Sequence, residues 1–341
     1  MNATPLSPRV GRGLLVALLC LAAIEAWLHT DDFPFRFRSV FAVGRAVDKV
    51  RYAEQHCPAL LILGNSRADN AFDPKTLLAA GITYRPASAF NLGLPGADAR
   101  VLAGALDRVA RAGCLRVGGV RQAVIALDEA LLQPIDTLGQ DVFLADRTRM
   151  FEDGQWHDAF RASFRLYGFS PNLRQLREPA NLQRLVAALP NSVDPVGGAA
   201  ELHLGYRAGF GGLQDTGAAA TQEAGSATPP SAANVRHLWR IVDTLRQAGV
   251  RVAIVYPPLL GREVLFRAGT RPEATPYRRI AHELAERGLP LISLDDVEQR
   301  VGSEFVNPGH LNDRGAQRYT RLLAHALDRI WADPPLLEWR P

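Results

Sequence analysis

Apolar residues fall along the chain in short blocks separated by polar turns. Residues 59–63 (Ala-Leu-Leu-Ile-Leu) are wholly apolar and stop at Gly64-Asn65-Ser66. A run this short and apolar on both faces predicts a buried parallel strand entering a turn. Similar runs stand at about 86–90, at Gln122–Leu127, at Arg251–Tyr256 and at Pro290–Leu294. Stretches with helical spacing lie between and after them, at 73–80, 98–112, 234–248, 273–287 and 314–331. Gly113, Gly249 and Gly288 stop three of these, as a residue past a helix end often does. Strands alternating with helices predict an α/β fold: three layers, α/β/α, around a five-stranded, mostly parallel sheet. In such sheets active groups gather at the carboxyl ends of the strands.

Two segments break the alternation. Residues 140–204 carry Phe143, Phe151, Trp156, Phe160, Phe164, Tyr167 and Phe169 and read as a helical insertion or lid. Residues 208–233 are rich in Gly, Ala, Ser and Thr and read as a flexible loop, since no core can be built from them. The sheet domain is thus expected in two parts, 57–139 and 234–333, with a tail at 334–341. At the other end, Arg9 and Arg12 precede an apolar run, Gly13–Leu28, interrupted only by Glu25. A membrane span needs about 20 residues. No small-x-small cleavage site follows the run. Residues 13–30 therefore read as an uncleaved signal anchor after a cytoplasmic segment, 1–12, with 31–56 as a juxtamembrane linker. The basic flank predicts that everything beyond is exported, so the expected location is the inner membrane with an extracytoplasmic domain. A buried N-terminal helix of a cytosolic protein is the competing reading.

Composition narrows the classes. The chain has 341 residues, 47% hydrophobic and 22% charged. That excludes wholesale disorder, collagen-like repeats and a multi-span membrane protein. Net charge is +4. Residues 1–51 hold seven basic and four acidic groups, so +3 of it sits there. The rest is nearly neutral, and nucleic acid is not an expected partner. Of three cysteines, Cys20 lies in the apolar run, while Cys57 and Cys114 each precede a predicted strand. Those two read either as a structural disulfide of an oxidising compartment or as two separate buried thiols. No Cys or His spacing suggests a metal, no G-x-G-x-x-G suggests a dinucleotide, and no cofactor is expected.

Three places carry chemistry. Ser66 follows the first strand at the expected start of a helix, where backbone N–H groups favour negative charge. Taken alone, it reads first as an ordinary N-cap serine. Asn91-Leu92-Gly93 follows the second predicted strand, where a glycine lets backbone approach a substrate and offers its N–H. Asn307-Pro308-Gly309-His310 precedes the last helix. Its Pro-Gly turn folds the chain so that Asn307 and His310 face each other, and a histidine there suits a general base.

In order and spacing these blocks resemble the SGNH (GDSL-like) hydrolase superfamily: Gly64-Asn65-Ser66 as the nucleophile block, Gly93 as the glycine block and His310 as the histidine block. The pattern spans about residues 58–331, outside the two interrupting segments. The resemblance implies catalysis by Ser66 and His310, with Gly93 and Asn91 at the oxyanion or substrate. Two positions depart from it. Asn307 stands where the family usually has Asp; it can orient the ring but brings no charge, and Asp295, Asp296 or Asp313 are candidate substitutes. Asp128 stands where the third block usually has Asn; ionised and facing the site, it would oppose an oxyanion. Arg67 reads as a contact for an anionic or polar donor, or simply as a solvated charge. An anchor, an exported SGNH-like domain and a third strand ending Leu127-Asp128 are similar to the membrane-anchored branch. That branch implies transfer of acyl groups, often acetyl, to cell-envelope or exported polysaccharides, beside a membrane-bound O-acyltransferase. An esterase, or a silent domain that binds glycan or scaffolds a synthase, are the other expectations.

Overall fold

A computed structural model describes residues 8–81, 83, 86–116, 118–189, 203–209, 228–260, 266, 275–289, 291–294 and 302–331. The chain divides into two compact units, Met1–Val47 with Leu138–Pro195, and Asp48–Thr137 with Val196–Pro341.

The first unit is helical. Its opening helix, Pro8–Leu28, has 21 residues. At 1.5 Å per residue it extends about 31 Å, close to the thickness of a bilayer's hydrocarbon core. The window Gly11–Leu28 has a mean hydropathy of 1.8, and its side chains are almost all exposed. One helix is therefore long and apolar enough to be a single membrane anchor or a signal sequence. The rest of the unit is built on aromatic packing. Phe33 lies 6.0 Å from Phe41, 6.2 Å from Phe143 and 5.6 Å from Phe169, measured between ring centroids. Phe143 and Phe169 meet edge to face at 5.2 Å, a favoured arrangement of ring quadrupoles. The short helices Gln140–Phe143, Arg147–Glu152, Trp156–Ser163, Arg165–Phe169 and Pro179–Ala188 complete it.

The second unit holds a five-stranded sheet. Its strands are β1 (Leu60–Gly64), β2 (Ala89–Gly93), β3 (Gln122–Ala126), β4 (Arg251–Tyr256) and β5 (Leu291–Ser293). Every pairing is parallel, in the order β2-β1-β3-β4-β5. Successive side chains of a strand face opposite ways, which divides the core in two. Leu60, Ile62, Val124 and Val255 pack with Phe72, Tyr319, Leu323 and Leu327, beneath the helices Ser66–Ala71 and Asp313–Trp331. The opposite face is covered by helices Ala99–Arg111 and Ala232–Gln247, which also touch each other.

Strand and helix positions follow the apolar pattern, with one consequential shift. β2 runs from Ala89 to Gly93, three residues later than its apolar run suggests. It pairs in register with β1, Ile62 opposite Asn91 and Gly64 opposite Gly93. Asn91 and Gly93 thus belong to the strand itself, not to a loop beyond it. A buried asparagine is tolerated there because its side chain is fully employed, as described below. The cysteines Cys57 and Cys114 form a disulfide. The tail at 334–341 and most of 208–233 lie outside the described residues.

Candidate active site

In this strand order the connections leave β1 toward opposite edges, so a crevice opens between the carboxyl ends of β1 and β3. Both ends carry polar caps. After β1, Asn65 caps the short helix Ser66–Ala71: its Oδ1 accepts from Arg67 N at 2.9 Å. Asp69 N is taken by Asn65 O at 3.1 Å. Ser66 N–H is a first-turn donor with no acceptor inside its own helix. After β3, Asp128 caps the helix Glu129–Leu132 by accepting from Leu131 N at 2.8 Å. Asn65 Nδ2 reaches across to both oxygens of Asp128, at 2.9 and 3.0 Å. The two caps lock the crevice together.

The histidine arrives on a separate hairpin. Strands β6 (Phe305–Asn307) and β7 (His310–Leu311) are antiparallel and place Asn307 opposite His310 across the Pro308-Gly309 turn. His310 Nε2 lies 2.9 Å from Ser66 Oγ, and its Nδ1 lies 2.9 Å from Asn307 Oδ1. Asn307 Oδ1 also accepts from Gly309 N at 3.0 Å. A backbone N–H only donates, so the asparagine must present its oxygen to both groups. Nδ1 of the ring then carries the proton, Nε2 is the bare acceptor, and Ser66 Oγ–H donates to it. This is the tautomer a general base requires. Burial, then the positive charges of Arg67 and Arg207, hold the His310 pKa below its usual value, against the pull of Asp69 and Asp128.

Arg67 stands beside this pair. Its Nη1 donates to Asp128 Oδ2 at 2.9 Å and lies 3.7 Å from Glu129 Oε2. Burial works against its charge, but Asp128 and Glu129 outweigh it and hold its pKa above that of an ordinary arginine. Among the described residues, Nε and Nη2 have no hydrogen-bond acceptor. Nε lies 3.8 Å from where a Cβ on Gly309 would sit, next to the histidine turn. Asp128 is fully buried and spends its oxygens on Asn65, Arg67 and Leu131. Its carboxylate is thus paired with Arg67 and hydrogen-bonded by Asn65 and Leu131, while its charge still reaches the ring of His310.

Two sequence expectations are corrected. Gly93 N–H donates to Asn91 Oδ1 at 2.8 Å, and Gly93 O accepts from the Lys49 ammonium. A Cβ at Gly93 would stand 2.5 Å from Asp69 N. The glycine is required by close packing against the serine helix, and its N–H is already engaged. Asn91 likewise faces inward: its Nδ2 donates to Ala68 O at 2.8 Å and Phe72 O at 2.7 Å. Both residues position the serine helix from beneath. Of the substitutes for Asn307, Asp313 accepts from Tyr206 Oη at 2.5 Å and from Gly209 N instead; Asp295 and Asp296 lie outside the described residues.

Other groups gave no sequence signal. Lys49, almost wholly buried, donates to Asp69 Oδ1 at 2.8 Å from the helix Ala42–His56. Tyr256 Oη donates to Glu129 Oε1 at 2.9 Å. Burial and then the charge of Asp128 raise the Glu129 pKa. The segment 203–209 straps β2 to the serine helix, since Leu204 O accepts from Asn91 N and Arg207 N donates to Asp69 O. Only the rarity of lysine in the chain, at Lys49 and Lys75, singles out any of these. Among the described residues, no group of three or more His, Cys, Asp or Glu is placed to hold a metal ion. The chain matches no protein-family profile, no curated protein and no solved structure.

Proposed function

We propose that this chain is a membrane-anchored, extracytoplasmic acyltransferase of SGNH type, which carries an acyl group on Ser66 and delivers it to a cell-envelope or exported polysaccharide. The observation that carries the reading is the relay Ser66 Oγ to His310 Nε2, with Nδ1 held by Asn307, at the carboxyl end of β1. Ser66 Oγ attacks the donor's carbonyl carbon while His310 Nε2 takes its proton. The oxyanion gathers the Ser66 N–H and the unengaged Nε and Nη2 donors of Arg67, which stand in for the donors that Gly93 and the third block do not offer. The tetrahedral carbon then expels the donor's leaving oxygen, to which His310 returns the proton. In the second half a sugar hydroxyl attacks the acyl carbon and gives its proton to His310. Ser66 Oγ leaves as the new ester forms and recovers that proton. Water in place of the sugar would make the same site an esterase. A silent glycan-binding or scaffolding domain is the second reading, favoured by the engaged N–H of Gly93. The basic flank of the apolar helix and the Cys57–Cys114 disulfide support an extracytoplasmic location. A membrane-bound O-acyltransferase is the proposed source of the acyl group.

The test is intact-mass analysis of the purified chain after treatment with an acyl-ester serine probe, in wild type, Ser66→Ala and His310→Ala. The expected result is one adduct on wild type and none on either variant. A folded wild type that takes no adduct rules out the nucleophile and leaves the binding role. With an adduct in hand, sugar acceptors that release it faster than water establish transfer over hydrolysis.

A further inference from the structure

Helix Trp156–Ser163 is built inside out. Its small residues, Ala159 and Ala162, are buried against Met150, while Trp156 is 67% and Phe160 49% exposed. The pattern continues through Phe164, between the two helices and 52% exposed, to Tyr167 in the next helix, Arg165–Phe169, 56% exposed. Phe160, Phe164 and Tyr167 form one patch, Phe160 lying 4.7 Å from Phe164 and 5.7 Å from Tyr167 between centroids; Trp156, four residues before Phe160 on the same helix, extends that face and meets Phe151 at 5.4 Å. Single exposed apolar residues are ordinary, but a contiguous aromatic patch marks an interaction surface.

The structure fixes where along the apolar helix this patch sits. Glu25, the lone acidic residue of that run, accepts from Arg165 N at 2.7 Å and from Leu166 N at 2.8 Å. Arg165 Nη1 donates to Leu28 O, at the helix's end, at 2.8 Å. Glu25 lies three residues before that end, or about 4.5 Å along the axis. The window Gly11–Leu28 rises about 27 Å at 1.5 Å per residue, nearly the depth of a hydrocarbon core. With that window in the bilayer, Glu25 to Leu28 occupy its boundary, and hydrogen bonds hold Phe164 to Tyr167 at the same level. Aromatic side chains are favoured there, because the ring is apolar and its edge or hydroxyl meets the headgroups.

Resting on the proposed reading of Pro8–Leu28 as a membrane anchor, we infer that the patch formed by Trp156, Phe160, Phe164 and Tyr167 is seated in the lipid headgroup region of that membrane. The first unit is then an interfacial platform as well as an anchor. Glu25 is the residue that ties the two together, since its carboxylate caps the helix that carries Tyr167. The occupant is phospholipid, because the hydrogen-bonded connection to the anchor dictates the depth without any second protein.

The test uses the full chain in nanodiscs of phosphatidylcholine and phosphatidylglycerol. On a Cys20→Ser background, an environment-sensitive NBD label is placed on Trp156→Cys, Phe160→Cys and Phe164→Cys. Glu286→Cys, on an exposed helix of the second unit, is the control. Variants that keep the parent's melting temperature are read. The expected result is blue-shifted emission at all three sites and quenching by lipids with a nitroxide near the headgroup, with neither effect at 286. The unlabelled chain gives a second reading: brominated lipids quench a component of tryptophan emission that disappears in Trp156→Phe. Water-exposed emission at all three sites, with no such component, overturns the proposal. Emission that is water-exposed in nanodiscs but shielded in native membranes also overturns it, in favour of a protein partner.

Discussion

His310 is held through both ring nitrogens, and those contacts together with its surroundings set its titration. Burial and the charges of Arg67 and Arg207 favour the neutral ring, the form able to take the Ser66 proton. Activity governed by this residue rises with pH as the ring deprotonates. The midpoint of that acid limb in kcat/KM is expected below the ordinary histidine value of about 6.5. Asn307→Asp puts a negative charge against Nδ1, favours the imidazolium and moves the limb to higher pH. Asn307→Leu removes the acceptor that fixes the tautomer and lowers kcat by about 10²-fold, the lower end of what a positioned base contributes. A limb unmoved by Asn307→Asp would show that some other group titrates. This pair was legible in the sequence because a Pro-Gly turn brings neighbours together locally. Arg67 with Asp128, and Tyr206 with Asp313, were not, because each joins residues far apart in the chain and sheet closure alone brings them together.

The serine helix is positioned by the strand beneath it, and Gly93 is the tightest point of that contact. A methyl group there meets Asp69 N at 2.5 Å and Asn91 Oδ1 at 2.9 Å. Backbone cannot yield as a flexible side chain does, so β2 and the helix must separate. Gly93→Ala is expected to cost about 1–3 kcal/mol in urea denaturation, the usual range for an overfilled core. The same displacement lengthens the Ser66–His310 contact, and labelling by the serine probe slows in the folded variant. An unchanged labelling rate with reduced stability would show that the helix moves without carrying Ser66. At this scale the sequence was informative about which elements exist and poor about where they end. The apolar run before Asn91 suggested an earlier strand; pairing with β1 and the satisfied Asn91 amide carry it on to Gly93. A polar residue in a strand looks like a strand end until its tertiary partners are known. The opposite error arose for residues 203–209, which look like part of an interruption but supply backbone partners to Asn91 and Asp69.

Across the whole chain, the Cys57–Cys114 disulfide links stability to compartment. It joins the end of the helix Ala42–His56 to the turn after the helix Ala99–Arg111, across a sequence separation of 57. Closing a loop of that length removes chain entropy from the unfolded state worth about 4 kcal/mol. That is a large share of the roughly 5–15 kcal/mol by which a folded protein is stable. Cys114 is fully buried and Cys57 partly buried, so reduction under native conditions starts by attack on the Cys57 sulfur. The Cys57→Ser, Cys114→Ser double variant is therefore expected to unfold in urea with a stability lower by about 2–4 kcal/mol, the range typical of such bonds. The effect has a cellular counterpart. With the apolar helix deleted, the chain stays where thiols are kept reduced, and thiol alkylation of the denatured protein should report both cysteines free. With the helix present, alkylation should report only Cys20. Free Cys57 and Cys114 in the full-length chain would contradict both the bridge and the export of the sheet unit. Protection in the full chain, lost on deleting the helix, would tie the bridge to export and place Ser66, on the same unit, in the oxidising compartment.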